Sequence, residues 1–181
     1  MKQPDFSTFP VLETDRLILR RLTLTDALEI YQLRSDANVA VLTGKAPFVH
    51  IDEAIAYINK IDNFVSKDES IFWAVSYKGA PNMIGAVCMW DFDIPSGTVE
   101  IGYELLPQFQ HKGIMIEAVT RALGYAFEVM GVETVVAFTV SGNPPSVKLL
   151  EKAGFILSTD RYQESFAGAP ALLTYILTSK A

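Results

Sequence analysis

The chain has 181 residues, the length of one domain, and half of them are hydrophobic while a fifth are charged. This composition supplies enough apolar side chains for a large core and excludes a mostly disordered protein. The net charge of −6, from 15 basic and 21 acidic residues, argues against direct binding of nucleic acid, which requires many phosphates to be neutralised. It favours a cationic or small partner.

The cysteine content and the first residues indicate the cellular compartment. Cys88 is the only cysteine, so the chain has no internal disulfide, and a reducing cytoplasm fits. The opening "MKQPDFSTFP" has proline and polar residues where a signal peptide needs an apolar core. No apolar run reaches the ~20 residues of a membrane helix. We therefore expect a cytoplasmic protein without membrane contact, with one domain over 1–181 and a short tail at 1–10.

The first predicted elements are a strand and two helices. "RLILRRL" (16–22) alternates apolar and basic residues, which indicates a strand. "TLTDALEIYQLR" then predicts a helix with Thr25 or Asp26 as its N-cap, and Asp26 and Glu29 have capping-box spacing. A second helix is predicted from about Asp52. Its apolar stripe consists of Ala54, Ile55, Ile58, Ile61 and Val65.

The middle of the chain predicts an antiparallel meander followed by a long helix. Three runs with strand character, 70–77, 83–92 and 98–106, are separated by turn residues. The following helix continues to about Met130, and Gly131 is its expected C-terminal cap. The buried face of this helix is predicted to consist of Met115, Val119, Ala122, Leu123, Ala126, Phe127 and Met130.

The last part of the chain predicts three strands and one helix. "TVVAFTV" (134–140) is a continuous apolar run, which indicates a strand buried on both faces. "NPPSVKLLEKAGF" (143–155) predicts a short helix with proline early and Gly154 just after its end. Strands around 156–163 and 171–178 follow. The order of all these elements predicts one mixed α/β domain.

Two junctions between a strand and a helix, at 105–118 and 140–149, are candidate binding sites. At such a junction, unpaired backbone N–H groups and the positive end of the helix dipole point to one place. A diphosphate collects several contacts there. The alternative is that these junctions are only structural, because every α/β protein has them and most bind nothing.

The first junction contains "QHKGIMIEA" (110–118). It resembles the pyrophosphate-binding motif of the GNAT superfamily of acyl-CoA-dependent N-acetyltransferases, which is Gln or Arg, two residues, Gly, one residue, then Gly or Ala. Met115 departs from this motif at its last position, and Glu117 and Ala118 match a common continuation. The matching residues are Gln110, His111, Lys112, Gly113 and Ile114.

Two further segments resemble the same family. "NPPSVKLLEKAGF" is similar to its Asn-x-x-Ser segment followed by "EKxGF", and "LETDRLILRRLTLTDA" resembles the start of the ribosomal-protein N-terminal acetyltransferases. The resemblance covers residues 11–178. It implies the GNAT fold, a twisted mixed sheet of about seven strands with about four helices, whose splayed central strands bind acyl-CoA. It also implies acetyl-CoA as the acetyl donor and a cytoplasmic transferase.

The resemblance assigns the cofactor contacts. Backbone groups of Leu105 and Leu106 are expected to pair with pantetheine. The N–H groups from Gln110 to Met115 are expected to hold the pyrophosphate, with an added positive charge from Lys112 unless that side chain is only exposed. The corresponding residues are Gln110, His111, Lys112, Gly113, Ile114 and Met115.

Individual residues of these two segments have a structural alternative. A helix start requires no positive φ, so the backbone alone does not require glycine at position 113. A small residue is expected there because Gly113 approaches the phosphates closely. Met115 is expected to turn its side chain into the core and leave its N–H for phosphate. Asn143 occupies a position that touches cofactor in the family, although an N-cap or turn asparagine is equally natural.

Transfer of an acetyl group to an amine needs a proton acceptor for the amine and a proton donor for the leaving thiolate. The resemblance points to Ser146 as the donor, and its structural alternative is a residue of the first helical turn. Glu100 and Glu104 share one face of a strand and are candidate bases and amine ligands, with Gly102 leaving open space between them. A solvated strand face is the alternative. Tyr103 points the other way, toward a predicted core.

Aromatic residues are candidates for an acceptor pocket. Trp73, Trp90, Phe92 and Tyr162 are considered, and a core position is favoured for each because aromatic side chains dominate cores. Trp90, at a strand end before "DFD", is the best candidate for pocket lining. His50 and His111 are expected in exposed loops, and no residue cluster has the spacing of metal ligands, so no metal is expected.

The sequence contains no pair of residues typical of a strong catalytic base, and this predicts the class of the acceptor amine. An α-amine has a reference pKa of ~7.7–8.0, whereas lysine has ~10.4, so the α-amine is deprotonated more easily. A protein N-terminus is the first choice, and a polyamine, an aminoglycoside or an amino acid is the alternative. A catalytically silent CoA-binding module and a nucleotide-binding doubly wound protein are alternatives of other classes, and either a monomer or a homodimer is compatible.

Overall fold

The computed structural model describes residues 1–36, 46–158 and 172–179. Over these residues the chain forms one eight-stranded sheet and four α-helices. The strands are β1 (Leu12–Glu13), β2 (Leu17–Arg21), β3 (Ser70–Tyr77), β4 (Met83–Asp93), β5 (Thr98–Leu105), β6 (Thr134–Val140), β7 (Ile156–Leu157) and β8 (Leu172–Thr178). The helices are α1 (Ala27–Ser35), α2 (Ile51–Ser66), α3 (Ile114–Tyr125) and α4 (Pro144–Lys152).

The sheet has the order β1-β2-β3-β4-β5-β6-β8-β7. The predicted meander β3-β4-β5 is confirmed, and β5 and β6 form the one parallel pair among the described strands. The expected seven strands become eight because β1 pairs with β2 through Leu12 and Glu13. A two-residue strand is too short to show an alternating pattern in the sequence.

The parallel pair is short and leaves a gap in the sheet. Its register runs only from Thr98 opposite Thr134 to Glu100 opposite Val136. Beyond this point β5 continues to Leu105 on the β4 side, whereas β6 pairs with β8 along its whole length. The two central strands therefore diverge, and their last shared pair closes the gap at one end.

The helices lie on both faces of the sheet. Arg34 of α1 contacts both Glu104 of β5 and Tyr57 of α2, while Ser146 of α4 contacts Tyr103 of β5. Consecutive residues of a strand point to opposite faces. The gap between β5 and β6 is therefore flanked by α1 and α2 on one face and by α4 on the other.

The predicted stripe of α2 is partly wrong. Ala54, Ile58 and Val65 are buried, but Ile61 is half-buried and Ile55 is exposed. Ile55 lies about 100° around the helix from Ala54, and this rotation moves its side chain off the buried face. The helix begins at Ile51, close to the predicted start, and His50 is its N-cap.

The predicted buried face of the long helix is confirmed except for Phe127, which is half-buried. Regular α-helix ends at Tyr125, and Ala126–Met130 form a π-helical turn that the apolar pattern did not indicate. Gly131 has a φ of 68° and is the C-terminal cap, as predicted. The buried residues of this face are Met115, Val119, Ala122, Leu123, Ala126 and Met130.

Three other predictions need correction. Phe138 of β6 is 40% exposed, so β6 is not buried on both faces. The reason is that Phe138 lies beyond the last residue pair between β5 and β6. Asp26 is the N-cap of α1, as predicted, but the capping box forms between Thr23 and Asp26 at the preceding 3₁₀ turn and not between Asp26 and Glu29. Residues 1–10 are not a free tail, since Phe6 is buried and its N–H donates to Asp68. The predicted strand segments 159–163 and 171 lie outside the described residues.

Candidate active site

The turn before α3 contains two residues in the left-handed region, His111 at φ 61° and Gly113 at φ 71°. The expectation that this helix start needs no positive φ is therefore wrong. Gly113 is the residue before the helix, and a Cβ there would meet only Arg16 Nη2 at 3.7 Å. The space beside Gly113 is thus open, and its backbone conformation itself favours glycine.

The N-terminus of α3 has the donors that an anion requires. No side chain caps this helix, and the first N–H groups of an α-helix have no partner within it. Met115 is buried in the core with 7% exposure, as predicted. These uncapped donors, the open space at Gly113 and the helix dipole fit a diphosphate.

The polar side chains of this turn bind neighbouring carbonyl groups. Lys112 Nζ donates to the Gln108 carbonyl at 2.8 Å and lies 5.5 Å from the centre of the Phe109 ring. Gln110 Nε2 donates to the carbonyl of Leu105 at 3.2 Å. Each contact ties the turn to itself or to the end of β5.

The two leucines expected to pair with pantetheine have different surroundings. Leu106 donates its N–H to Ile84 at 3.0 Å and accepts from Phe109 at 2.9 Å. The Leu106 carbonyl already accepts the N–H of Phe109, so a hydrogen bond from pantetheine must use its second lone pair. Leu105 lies at the end of β5 beside the gap, where its carbonyl accepts from Gln110. Both contacts stay predictions.

At the second junction, Ser146 and Tyr103 bridge α4 and β5. Their hydroxyl oxygens are 2.8 Å apart, and the Ser146 N–H donates to Asn143 Oδ1 at 3.2 Å. Asn143 therefore caps α4, the structural role that the sequence left open. Tyr103 is half-buried and packs against the core, as predicted, and its hydroxyl also contacts the candidate proton donor.

Burial raises the pKa of the Tyr103 hydroxyl to about 12, with a smaller opposing effect from its hydrogen bond with Ser146. Tyr103 is therefore protonated at neutral pH and has a proton to share with Ser146. The pair lies on the face of the sheet that α4 covers, next to the gap between the central strands. A serine hydroxyl supported in this way can donate to a developing thiolate.

Glu100 lies at the closed end of the gap and faces the other side of the sheet. Burial and the negative charge of Asp91 raise its pKa to about 7, and a hydrogen bond from Trp90 opposes this shift. It borders a cavity of about 140 Å³. The cavity is lined by Asp91, Asp93, Ser96, Thr98, Glu100, Val136 and Phe138. A carboxylate with this pKa is suited to accept and release protons near pH 7.

Glu104 and Glu100 do not form a carboxylate pair. Glu104 Oε1 is 3.0 Å from Arg34 Nη2, and both side chains are more than four-fifths buried. The expected open space at Gly102 is also wrong, because a Cβ there would lie 2.8 Å from Trp90 Cη2. The indole of Trp90 fills the space between the two glutamates, and Glu104 forms an ion pair with Arg34.

The remaining sequence candidates are placed as follows. Trp90 is half-buried with its indole against Gly102, and its role in lining an acceptor pocket stays a prediction. Trp73 is fully buried and donates to the Pro10 carbonyl. Phe92 is half-buried, with its ring centre 6.0 Å from that of Phe6. Tyr162 lies outside the described residues. His50 and His111 are exposed, as predicted.

Cys88 lies on the same face as Gly102, and its thiol contacts the Gly102 carbonyl. Burial, with a further effect from the charge of Glu104, raises its pKa to about 12, so the thiol stays protonated at neutral pH. Within 1–36, 46–158 and 172–179, no three His, Cys, Asp or Glu side chains form a group that could hold a metal ion. Over the same ranges, every helix is too short or too polar to cross a bilayer.

Comparison with known proteins identifies the domain. The family described as Acetyltransferase (GNAT) domain matches residues 16–156. The chain belongs to the GNAT acetyltransferase family. This acetyltransferase is 31% identical over 147 residues to the uncharacterized N-acetyltransferase YoaA of Bacillus subtilis (strain 168), a match that covers 81% of this chain and 83% of that protein.

Solved structures confirm the fold of this acetyltransferase. The spermidine N-acetyltransferase from Vibrio cholerae, in complex with CoA and spermine, superposes with a TM-score of 0.77 at 23% identity, covering 91% of this chain and 96% of that one. The ribosomal-protein-S5-alanine acetyltransferase from Vibrio fischeri superposes with a TM-score of 0.77 at 19% identity, over 93% and 96% of the two chains. The predicted GNAT fold and N-acetyltransferase class are confirmed.

Some residues of the acetyltransferase site were not found by sequence reasoning. Tyr103 was assigned to the opposite face from Glu104, which is correct, but its distance from Ser146 depends on how α4 packs. Arg34 lies 70 residues from Glu104, and no local pattern links them. Alternation along β5 was the only signal available, and it gives the face of a residue but not its partner.

Proposed function

We propose that this acetyltransferase moves the acetyl group of acetyl-CoA to the N-terminal α-amine of a protein, such as a ribosomal protein, in the cytoplasm. The uncapped start of α3 supports acetyl-CoA as the donor. CoA in the complex of the spermidine N-acetyltransferase from Vibrio cholerae supports it further. The ribosomal-protein-S5-alanine acetyltransferase among the structural neighbours supports a protein N-terminus as acceptor.

The observation that carries this proposal is the position of Glu100, which lines the cavity at the closed end of the gap between the central strands and whose pKa is raised by burial to about 7. Proton transfer from an α-ammonium of pKa ~7.7–8.0 to this carboxylate is unfavourable by only about 1 pKa unit, or about 1.4 kcal/mol. The same transfer from a lysine ammonium of pKa ~10.4 is unfavourable by about 4.6 kcal/mol. Glu100 is therefore a sufficient base for an α-amine and a weak one for lysine.

The mechanism is direct attack by the amine on the thioester carbon, with no covalent enzyme intermediate. Glu100 accepts one proton of the ammonium group and releases it to solvent, and the nitrogen lone pair forms the new bond to the carbonyl carbon. Glu100 then accepts the second proton of that nitrogen. As the carbon–sulfur bond breaks, Ser146 donates its hydroxyl proton to the leaving thiolate and regains one from Tyr103, which solvent reprotonates. Glu100 and Tyr103 point to opposite faces of β5, so the proton acceptor and the proton donors lie on opposite sides of the sheet.

A small polyamine is the second candidate acceptor. Asp91, Asp93 and Glu100 bring three carboxyl groups to the cavity at the closed end of the gap. A chain of ammonium groups is attracted by such a site. The solved spermidine N-acetyltransferase holds spermine together with CoA, which supports the same class of acceptor here.

A panel of acceptors tests both candidates. The protein is mixed with acetyl-CoA and with serine- and alanine-initiated peptides, spermidine, spermine and aminoglycosides, and release of free thiol is followed. The same peptides with blocked N-termini and one internal lysine are the matched controls. We expect turnover on free N-termini and at most background rates on the blocked peptides.

The other outcomes each reject the proposal. Faster turnover on spermidine than on every peptide selects the polyamine candidate. Equal rates on free and blocked peptides reject the α-amine. CoA binding without turnover on any acceptor identifies a catalytically silent CoA-binding module.

A further inference from the structure

Thr14, Arg16 and Glu117, here called the Arg16 cluster, connect the segment before β2 to the first turn of α3. Arg16 Nε and Nη2 lie 2.7 and 2.6 Å from Glu117 Oε2. The hydroxyl of Thr14 donates to the other oxygen, Oε1, which also accepts the N–H of Arg16 at 3.2 Å. Both oxygens of Glu117 are therefore bound, and the guanidinium is held in one orientation.

The guanidinium also binds the turn that precedes α3. Arg16 Nη1 donates to the carbonyl oxygen of Lys112 at 3.2 Å. Lys112 lies between His111 and Gly113, the two residues of this turn with positive φ. The left-handed region costs glycine little, but it strains His111 unless the surroundings hold the turn. Arg16 supplies this support from outside the turn, at the carbonyl of the residue between the two left-handed residues.

The charge of the Arg16 cluster bears on an anion at the same place. Burial raises the pKa of Glu117, but hydrogen bonds from Thr14 and Arg16 outweigh this effect and lower it. Glu117 is therefore ionised in the first turn of α3, where a diphosphate is expected. An unpaired carboxylate there would repel the diphosphate. Arg16 neutralises it and places a cation close to Gly113.

We propose that Arg16 is a positioning residue for the diphosphate of acetyl-CoA. Held by Glu117 and Thr14, it keeps the turn at residues 110–113 in its left-handed conformation, so that the N–H groups at the start of α3 stay free for phosphate. This inference rests on the proposed acetyl-CoA site. It adds a residue from the far end of the chain, 96 positions before the carbonyl that it binds.

Binding measurements test the role of Arg16 without any acceptor. The dissociation constants of CoA and of 3′-phosphoadenosine 5′-diphosphate, the fragment that carries the diphosphate, are measured by titration calorimetry. We expect Arg16→Gln to raise both constants about 10-fold. Arg16→Lys keeps the charge but cannot bind Glu117 and Lys112 together, so we expect it to recover only part of the loss.

The matched control is Arg21→Gln. Arg21 lies in β2 and forms a similar exposed ion pair, with Asp62 of α2 at 2.7 Å instead of with the turn or α3. Exposed ion pairs add little stability, so both variants are expected to fold, and thermal unfolding verifies it. We expect Arg21→Gln to leave the dissociation constant of CoA unchanged within twofold.

Kinetics with a truncated donor separate positioning from a general effect on the enzyme. We expect Arg16→Gln to lower kcat/KM for acetyl-CoA about 10-fold, with kcat at saturation unchanged. For S-acetylpantetheine, which lacks the diphosphate, kcat/KM should not change. If no acceptor is found, the proposed function fails, but the binding measurements still decide the role of Arg16.

Three results would overturn the inference. The first is CoA affinity within twofold of the original in folded Arg16→Gln. The second is an equal loss in Arg21→Gln or an equal loss with S-acetylpantetheine. The third is full recovery by lysine, which would assign the effect to charge alone.

Discussion

Gly113 combines two requirements in one residue. Its φ of 71° disfavours side chains, and the space beside it is open apart from the guanidinium of Arg16. Aspartate and asparagine have similar shapes and both tolerate left-handed φ better than other residues. The pair of substitutions Gly113→Asp and Gly113→Asn therefore separates negative charge from bulk at this position.

We expect Gly113→Asp to raise the dissociation constant of CoA at least 10-fold, because it places bulk and negative charge against the diphosphate. Gly113→Asn should have an intermediate effect. Calorimetric titration measures both. Gly79→Asp is the control, because Gly79 has a similar φ of 79° and open space around it but lies in the turn between β3 and β4. CoA affinity unchanged in both Gly113 variants would remove this turn from the site.

Glu100 predicts the dependence of the rate on pH. A base must be ionised to accept a proton, so kcat/KM should fall as the pH is lowered through about 7, the pKa of Glu100. Glu100→Gln should lower kcat/KM and remove this inflection, while the titration of the acceptor amine is unchanged. The profile is measured from pH 5 to 9 with one acceptor. An inflection near 7 that persists in Glu100→Gln assigns it to another group.

Asp91→Asn makes the same test without touching the base. The charge of Asp91 contributes to the raised pKa of Glu100, so its removal should move the inflection to lower pH. Asparagine is the suitable replacement because Asp91 has a φ of 55°. An inflection that stays in place would show that Asp91 does not act on the catalytic base.

At the scale of elements, α4 and β5 are joined across the gap by the hydrogen bond between Ser146 and Tyr103. If Tyr103 acts only through the hydroxyl of Ser146, its removal has no further effect once that hydroxyl is absent. We expect Ser146→Ala and Tyr103→Phe each to lower kcat about 10-fold with unchanged CoA affinity. The double variant should be no slower than Ser146→Ala.

The measurement is a double-mutant cycle of kcat with one acceptor. Tyr125→Phe is the control, since Tyr125 lies in α3 and packs against Trp73. If the loss of kcat in the double variant is the product of the two single losses, Tyr103 acts independently of Ser146. Full activity in Ser146→Ala would leave Ser146 with a structural role in the first turn of α4.

Much of this arrangement follows from local patterns. Alternation predicted the meander and placed Glu100 and Glu104 on one face, and the helical repeat predicted the buried position of Met115. Contacts between distant residues do not follow from such patterns. Trp90 lies over Gly102, Arg34 pairs with Glu104, and the π-helical turn after Tyr125 depends on packing. Alternation therefore predicted the face of each candidate but not which of the two carboxylates forms an ion pair.

For the whole molecule, the placement of Glu100 and Ser146 predicts the kinetic mechanism. Both substrates must be present together if the amine attacks the thioester directly, and the raised pKa of Cys88 argues against an acetyl-cysteine intermediate. We expect double-reciprocal plots at several acceptor concentrations to intersect. Mass spectrometry of the protein after incubation with acetyl-CoA alone should show no acetylated enzyme. Parallel lines, or an acetyl group that moves to added amine, would contradict direct transfer.

The gap between β5 and β6 determines how inhibitors can reach this enzyme. Its closed end lies at Glu100 and Val136, and the proposed mechanism brings donor and acceptor to this place from opposite sides of the sheet. A molecule that links an amine to CoA through a short acyl spacer must pass through the sheet itself. Ligands confined to one face block one substrate only. On the proposed function, selectivity among related transferases is to be sought at the cavity beside Glu100, whose lining includes Asp91 and Phe138.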